Sequence, residues 1–154
     1  MRQRIREGPI AKDMAMKWCL QIAIALHYLH QEHYIHRDVK PENIFIDEND
    51  NAILGDLGCL STKSLTGSFA GDFKYMARDV VKRAYAGGPD YTTKVDVFSL
   101  GLIMAELLTG KKQDMDIGND IEKPIPYKPG VDNALIDICS DMVIKDPSCR
   151  PPIH

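Results

Sequence analysis

The chain has 154 residues, of which 44% are hydrophobic and 27% are charged. This balance is typical of a folded globular domain, and it excludes disordered and collagen-like classes of protein. The 19 Lys and Arg residues against 22 Asp and Glu residues give a net charge of −3, so the total charge does not favour nucleic acid as a partner.

We expect neither a membrane span nor an export signal. The most apolar runs, at 14–29 and 97–108, are interrupted by polar side chains, and both fall short of the roughly 18 clean apolar residues of a membrane helix. The charged N-terminal residues are not followed by the apolar stretch of a secretory signal. The four cysteines form no C-x-x-C pair, so we expect free thiols and a cytoplasmic location.

The first part of the chain predicts two helices. Gly8-Pro9 breaks the chain and leaves at most a short helix at 2–7. Apolar residues at spacings of three and four then predict one long helix at 11–32. The basic residues of the short helix are interpreted as a solvated face, and they are Arg2, Arg4 and Arg6.

A small β-hairpin is predicted after the long helix. Short β-type runs at 44–46 and 52–54 flank the turn-rich residues 47–51. The residues at 59–75 are rich in Ser, Thr and Gly and show no periodicity, which predicts a long loop. Long ordered loops in compact domains are usually functional.

The second half of the chain predicts a buried helix and a capped last helix. Residues 97–108 are apolar nearly all round, as in a core helix, and Gly110 ends them. Residues 111–130 predict a second polar loop, which a helix running to Ile144 follows. The candidate caps of this helix are Asp132 and Asn133, and its predicted inner face contains Leu135, Ile138 and Met142. The predicted fold class is α+β and mainly α-helical, with one small β element.

The residues with the clearest chemical signature lie between the long helix and the hairpin. They read His36-Arg37-Asp38-Val39-Lys40-Pro41-Glu42-Asn43, and Asp56-Leu57-Gly58 follows the hairpin. Three further elements come in order, at 75–77, 96–101 and 146–151. In this order over nearly the whole chain, the motifs resemble the C-terminal lobe of eukaryotic-type serine/threonine protein kinases. The Asp-Leu-Gly variant with Asn43-Ile44-Phe45 is similar to the NIMA-related subgroup.

The resemblance implies transfer of the γ-phosphate of ATP to a Ser or Thr hydroxyl of a protein substrate. Asp38 would accept the hydroxyl proton, and Lys40 would contact the transferred phosphate. A lysine at that position also resembles Ser/Thr-specific rather than Tyr-specific members. Asn43 and Asp56 would hold Mg²⁺, which prefers hard oxygen ligands. The implied catalytic residues are Asp38, Lys40 and Asn43, and the implied cofactor-binding residues are Lys40, Glu42, Asn43, Phe45 and Asp56.

Two residues keep competing interpretations. Glu42 either favours basic residues in a substrate or is a solvated side chain. Ser68 lies in the loop Cys59–Lys74, which corresponds to the activation segment of the family. It is either a phosphosite for an upstream kinase, with Ser64 and Thr66 as alternates, or an ordinary loop serine.

The resemblance also assigns structural roles. Asp96 would hold the backbone of the catalytic loop, His36 would be a core residue, and Asp79 would pair with Arg150. The histidines at i+3 spacing, from His27 to His36, are not interpreted as a metal site, because no cysteine or carboxylate completes them.

The 154 residues contain no G-x-G-x-x-G-x-V loop and no V-A-I-K lysine, so the predicted domain at 1–154 is a partial kinase domain. We therefore expect a C-terminal lobe that is inactive or nearly so by itself. Its expected partner is an N-terminal lobe or a partner kinase that acts in trans. Without such a lobe, we expect an apolar surface around Phe45 and Leu57. The alternative is a non-catalytic, pseudokinase-like interaction module, which Asp72 and Arg78 favour as departures from the family pattern.

Overall fold

The structure, a computed structural model, describes residues 1–8, 10–62, 74–81, 92–111 and 125–153. These residues are mostly helical and contain a single two-stranded sheet among them. The helices are α1 (Arg2–Glu7), α2 (Lys12–Gln31), α3 (Lys94–Thr109) and α4 (Asn133–Met142), and the strands are β1 (Ile44–Ile46) and β2 (Ala52–Leu54). The predicted helices and hairpin are therefore present, whereas most of the predicted loops at 59–75 and 111–130 lies outside the described residues.

Helix α2 carries the apolar stripe that its sequence predicts. Trp18, Ile22 and Leu26 are fully buried on the side that faces β2 and α3. The indole Nε1 of Trp18 donates a hydrogen bond of 3.0 Å to the carbonyl of Asp50 in the hairpin turn. This contact satisfies the polar atom of the largest core side chain, as buried indoles require, and it ties the hairpin to α2.

Helix α3 runs through the centre of the core. Nearly every residue of it is buried, as the all-round apolar sequence predicts. It packs against α2 on one side and α4 on the other. Gly101 permits the second contact, because a Cβ there would lie 2.7 Å from the Cβ of Met142. The helix ends at Gly110, whose φ of 65° places it in the left-handed region that glycine adopts without strain.

Helix α4 begins as predicted, and two of its three predicted inner residues, Leu135 and Met142, pack against the core. Asp132 is its N-cap, and the carboxylate accepts a hydrogen bond of 3.0 Å from the backbone N–H of Ala134. The buried residues are Ile136, Cys139 and Met142. The predicted inner position Ile138 is wrong, since this side chain is 48% exposed. The helix also ends at Met142 rather than Ile144.

The hairpin has one face in the core and one face open. Ile44 pairs with Leu54, Phe45 with Ile53 and Ile46 with Ala52 in an antiparallel register. Ile44 and Ala52 are buried, whereas Phe45 and Ile53 are 57% and 52% exposed. Together with Leu57, which is 53% exposed, they form an open apolar surface, as predicted around Phe45 and Leu57. Among the described helices, none has the length and apolar character that crossing a membrane requires.

Candidate active site

Asp96 anchors the loop that follows α2. Its carboxylate, only 1% exposed, accepts hydrogen bonds of 2.9 Å from the backbone N–H groups of both His36 and Arg37. It also lies 2.8 Å from Nε2 of His30. Arg37 has a φ of 69°, a left-handed conformation that costs energy for a residue with a Cβ. The predicted role of Asp96 is confirmed, and it explains how this strained backbone is held.

The imidazole of His36 links the loop to the end of the hairpin. The ring is fully buried, as predicted for a core residue. Its Nδ1 lies 3.3 Å from the backbone N–H of Asp38, and its Nε2 lies 3.0 Å from the carbonyl of Gly55. Because an N–H group can only donate, Nδ1 accepts and Nε2 carries the proton. This neutral tautomer fixes Asp38 relative to the residue that precedes Asp56.

The predicted catalytic residues Asp38, Lys40 and Asn43 lie in direct contact. The Nζ of Lys40 is 2.7 Å from Oδ2 of Asp38, and the Nδ2 of Asn43 donates to the same oxygen at 2.8 Å. Asn43 also donates to the backbone carbonyl of Asp38 at 2.9 Å. Asp38 and Asn43 are each 7% exposed, so the carboxylate is held in a mostly buried, hydrogen-bonded position.

Asp56 stands at the open end of the hairpin, next to the position of Asn43. The backbone N–H of Gly55 donates to the carbonyl of Asn43 at 2.8 Å, which brings the ends of the two strands together. Asp56 follows in the left-handed region, with a φ of 56°, and accepts a hydrogen bond of 3.4 Å from the N–H of Gly58. A Cβ at position 55 would lie 2.5 Å from the ring of Phe45, so the absence of a side chain at Gly55 leaves room for this ring.

These residues fit the magnesium chemistry that the sequence suggested. The amide nitrogen of Asn43 is engaged by Asp38, which leaves its carbonyl oxygen as the ligand atom, and Asp56 offers an exposed carboxylate. One amide oxygen and one carboxylate are hard ligands that Mg²⁺ accepts, with water and phosphate oxygens completing its shell.

Two of the histidines at i+3 spacing have structural partners. The ring of His27 lies against the carbonyl of Ile153, and the ring of His30 lies against the carboxylate of Asp96.

The start of the predicted activation segment lies against the catalytic loop. Ile35 and Ser61 form an antiparallel bridge with bonds of 2.8 and 3.0 Å, and Nε of Arg37 donates to the carbonyl of Cys59 at 2.5 Å. Burial raises the pKa of the Cys59 thiol, and the negative charge of Asp38 raises it further. The other positions predicted for this segment, Ser64, Thr66, Ser68 and Asp72, lie outside the described residues.

The predicted pair of Asp79 and Arg150 is present. Nη2 of Arg150 donates to Oδ1 of Asp79 at 2.8 Å, and the guanidinium is only 1% exposed. Its Cζ lies 4.9 Å from the ring centroid of Phe98, and its Nη1 donates to the carbonyl of Lys94. The arginine therefore joins α3 to the segments before and after it.

The sequence did not predict one cluster of charged side chains around Arg2. Arg2 is only 15% exposed and contacts Glu42 and Glu106, each at 2.7 Å. Its predicted place on a solvated face is therefore wrong, although Arg6 is exposed. The signal was Glu106 itself, because a carboxylate inside an apolar helix requires a partner. Burial lowers the pKa of Arg2, but the hydrogen bonds to Glu106, Glu42 and Tyr75 outweigh it and raise the pKa above its ordinary value.

The sequence comparisons identify the family of the chain. The model of the family described as protein kinase domain matches residues 1–154, and the chain belongs to the protein kinase family. The Wee1-like protein kinase of Arabidopsis thaliana is 37% identical over 139 residues, which cover 85% of this chain and 26% of the relative. A probable serine/threonine-protein kinase of Dictyostelium discoideum is 34% identical over 155 positions, covering 94% of this chain and 33% of the relative.

A third relative comes from Homo sapiens. The human dual specificity mitogen-activated protein kinase kinase 7 is 34% identical over 160 positions, covering 94% of this chain and 38% of that protein. The chain thus spans between about a quarter and two fifths of the length of these relatives. The resemblance to protein kinases is confirmed, whereas the NIMA-related subgroup stays a prediction.

Proposed function

We propose that the chain is the C-terminal lobe of a serine/threonine protein kinase and supplies the catalytic loop for phosphoryl transfer. The observation that carries the proposal is the buried carboxylate of Asp38, which Lys40 and Asn43 contact at 2.7 and 2.8 Å. Phosphoryl transfer needs little covalent participation by the protein and depends on positioning and on cations. A fixed carboxylate beside an ammonium group provides both.

Each residue of the loop has a distinct chemical task in this proposal. Asp38 orients the Ser or Thr hydroxyl of the protein substrate and accepts its proton. Lys40 places a positive charge beside the phosphate that moves. Asn43 holds Asp38 through its amide N–H group and offers its carbonyl oxygen to Mg²⁺ together with Asp56. Bound Mg²⁺ supplies charge neutralisation at the phosphate oxygens of ATP.

The open surface of the hairpin is the proposed floor of the nucleotide site. Phe45 and Leu57 expose more than half of their surface there, and an apolar surface of this kind suits a planar base or another protein surface. Since the 154 residues contain no Gly-rich loop and no V-A-I-K lysine, we expect weak ATP binding and little or no transfer by this chain alone. An N-terminal lobe or a partner kinase in trans would cover the surface.

The test is phosphate transfer by the purified 154-residue chain with labelled ATP, Mg²⁺ and a generic protein substrate. Asp38→Asn is the matched control, because it keeps the shape of the side chain and removes the proton acceptor. We expect little or no transfer by the chain alone, and any transfer that is detected should fall at least about 100-fold in the variant. Transfer that survives the substitution would contradict the assignment of Asp38, and tight Mg·ATP binding by calorimetry would contradict the expected weakness of the isolated chain.

A non-catalytic interaction module is the second candidate. It is favoured by Arg78, which stands where the family pattern has proline and is 9% exposed, and by the open apolar surface of Phe45, Ile53 and Leu57. This candidate predicts no transfer above the Asp38→Asn background, even when a complete kinase N-terminal lobe is added. Transfer that appears on addition of that lobe would reject it.

A further inference from the structure

Arg2 fills a pocket made of two carboxylates and a phenol. Its Nε donates to Glu42 at 2.7 Å, its Nη1 donates to Glu106 at 2.7 Å, and its Nη2 contacts the hydroxyl of Tyr75. The Cζ atom lies 5.6 Å from the centroid of the Tyr75 ring. Three nitrogens of one planar guanidinium are thus engaged, a fit that a lysine ammonium cannot reproduce. We call Glu42, Glu106 and Tyr75 the acidic pocket.

The acidic pocket requires a cation. Glu106 is 4% exposed and belongs to the mostly apolar helix α3. The hydroxyl of Tyr75, itself 3% exposed, donates to Oε2 of Glu106 at 2.5 Å. One neutral hydrogen bond does not compensate a buried carboxylate, whereas a charge-assisted bond from a guanidinium does. Arg2 therefore neutralises a charge that the core of the fold would otherwise leave unpaired.

The pocket adjoins the proposed catalytic centre. Glu42 directly precedes Asn43, whose amide holds Asp38 at 2.8 Å. The Glu42 side chain is 43% exposed, whereas Glu106 is 4% exposed, so the pocket opens to solvent on the side of the catalytic loop. A peptide that presents a hydroxyl to Asp38 therefore passes the mouth of the pocket. This step rests on the proposed function, while the pocket itself does not.

We propose that Arg2 is a specificity-determining residue, because it occupies the acidic pocket from within the chain and excludes a substrate arginine from it. Of the two interpretations of Glu42 from the sequence, the one in which it favours basic residues in a substrate is then reversed for the wild-type chain. Removal of the Arg2 side chain leaves both carboxylates in place and turns the pocket into a guanidinium site beside the phosphate acceptor.

Arg4 provides a matched control on the same helix. Its Nη1 pairs with Asp50 at 2.6 Å, but both side chains are about two fifths exposed. Arg4→Ala therefore removes the same charge from α1 and leaves the acidic pocket filled. Any effect that depends only on net charge is equal in the two variants. A difference between them therefore comes from emptying the acidic pocket.

The first readout is complementation of the pocket by ethylguanidinium at millimolar concentration, measured by thermal unfolding of the full chain. We expect it to raise the Tm of Arg2→Ala by about 2 °C or more and to leave wild type and Arg4→Ala unchanged. If Arg2→Ala is unfolded without the ligand, ethylguanidinium restores its folding transition. Adding Glu106→Gln to Arg2→Ala abolishes the response. An equal response in all variants, or none in Arg2→Ala, would overturn the proposal.

The second readout is binding of serine peptides with one arginine within four residues of the serine, compared with the same peptides carrying neutral citrulline. Arg2→Ala is expected to prefer one arginine peptide about tenfold, as a charge-assisted bond provides, whereas wild type and Arg4→Ala show no preference. A preference of equal size in wild type, or none in Arg2→Ala, would overturn the role in specificity. Neither readout uses turnover. Absence of phosphate transfer even after addition of a complete kinase N-terminal lobe would overturn the proposed function, while these measurements would still decide the role of Arg2.

Discussion

The amide of Asn43 holds Asp38 by two hydrogen bonds, one to the carboxylate at 2.8 Å and one to the backbone carbonyl at 2.9 Å. Both residues are 7% exposed, so the pair is shielded from competing water. The same amide that would bind the metal through its oxygen thus fixes the proposed proton acceptor through its nitrogen. The position of Asp38 and the proposed metal binding would therefore both depend on the side chain of Asn43.

Asn43→Ala is expected to reduce both stability and phosphate transfer. Loss of a partner for a buried polar group costs about 1–3 kcal/mol of the free energy of unfolding. Transfer is expected to fall at least about 100-fold, since Asp38 loses its orientation. Urea unfolding and the transfer assay measure the two effects. The exposed Asn49→Ala is the control for an asparagine side chain in a turn, and an Asn43→Ala variant with normal transfer would contradict this dependence.

Asp96→Asn is expected to destabilise the catalytic loop without removing volume from the core. The carboxylate accepts two backbone N–H groups on its two oxygens, whereas an amide presents an N–H donor to one of them. Such a mismatch costs about 1–3 kcal/mol in a buried site. The free energy of unfolding is measured beside Asp141→Asn, an exposed position on α4. Equal stabilities of the two variants would show that Asp96 does not hold the loop.

The sequence predicted well the features that depend on neighbouring residues. The hairpin follows from two short β-type runs around a turn, and the helix α3 follows from an apolar sequence that Gly110 ends. The contacts of Asp96 with the catalytic loop and of Asp79 with Arg150 followed from the family motifs, whose spacing carries the tertiary information. The roles of Asp38, Lys40, Asn43 and Asp56 in chemistry stay predictions, although the structure brings the first three into contact.

The sequence failed where distant parts of the chain decide the outcome. Arg2 sits in a run of alternating basic residues that resembles a solvated face, but Glu106 lies 104 positions away in the sequence and supplies the partner. Likewise, Ile138 of α4 has the spacing of an inner residue, but the contact of α4 with Gly101 of α3 buries Cys139 and leaves Ile138 exposed. Neither choice is encoded by local periodicity.

Gly101→Ala tests this contact between α3 and α4. Alanine favours helix over glycine by about 1 kcal/mol, so the substitution would stabilise an open helix position. Here the added Cβ would lie 2.7 Å from Met142 and 3.0 Å from Val143, and overpacking of a core costs about 1–3 kcal/mol. We expect a net loss of stability, measured by urea unfolding. A more stable variant would show that the two helices can separate without cost.

Asp47 is expected to make the hairpin turn sensitive to acid. Its carboxylate accepts bonds from the backbone N–H of Asn51 at 2.7 Å and from the side chain of Asn51 at 3.0 Å, and these bonds lower its pKa below the ordinary value of 3.8. A lowered pKa in the folded state means that the stabilisation is present above pH 3.8 and is lost as the pH falls through the folded pKa.

The measurement is the difference in Tm between wild type and Asp47→Asn from pH 7 down to pH 3. Because asparagine does not titrate, wild type should be the more stable protein at pH 7, and the difference should shrink as Asp47 is protonated. Glu48→Gln removes a neighbouring exposed charge and should show no comparable convergence. A difference that stays constant across the range would mean that the ionised carboxylate of Asp47 does not stabilise the turn.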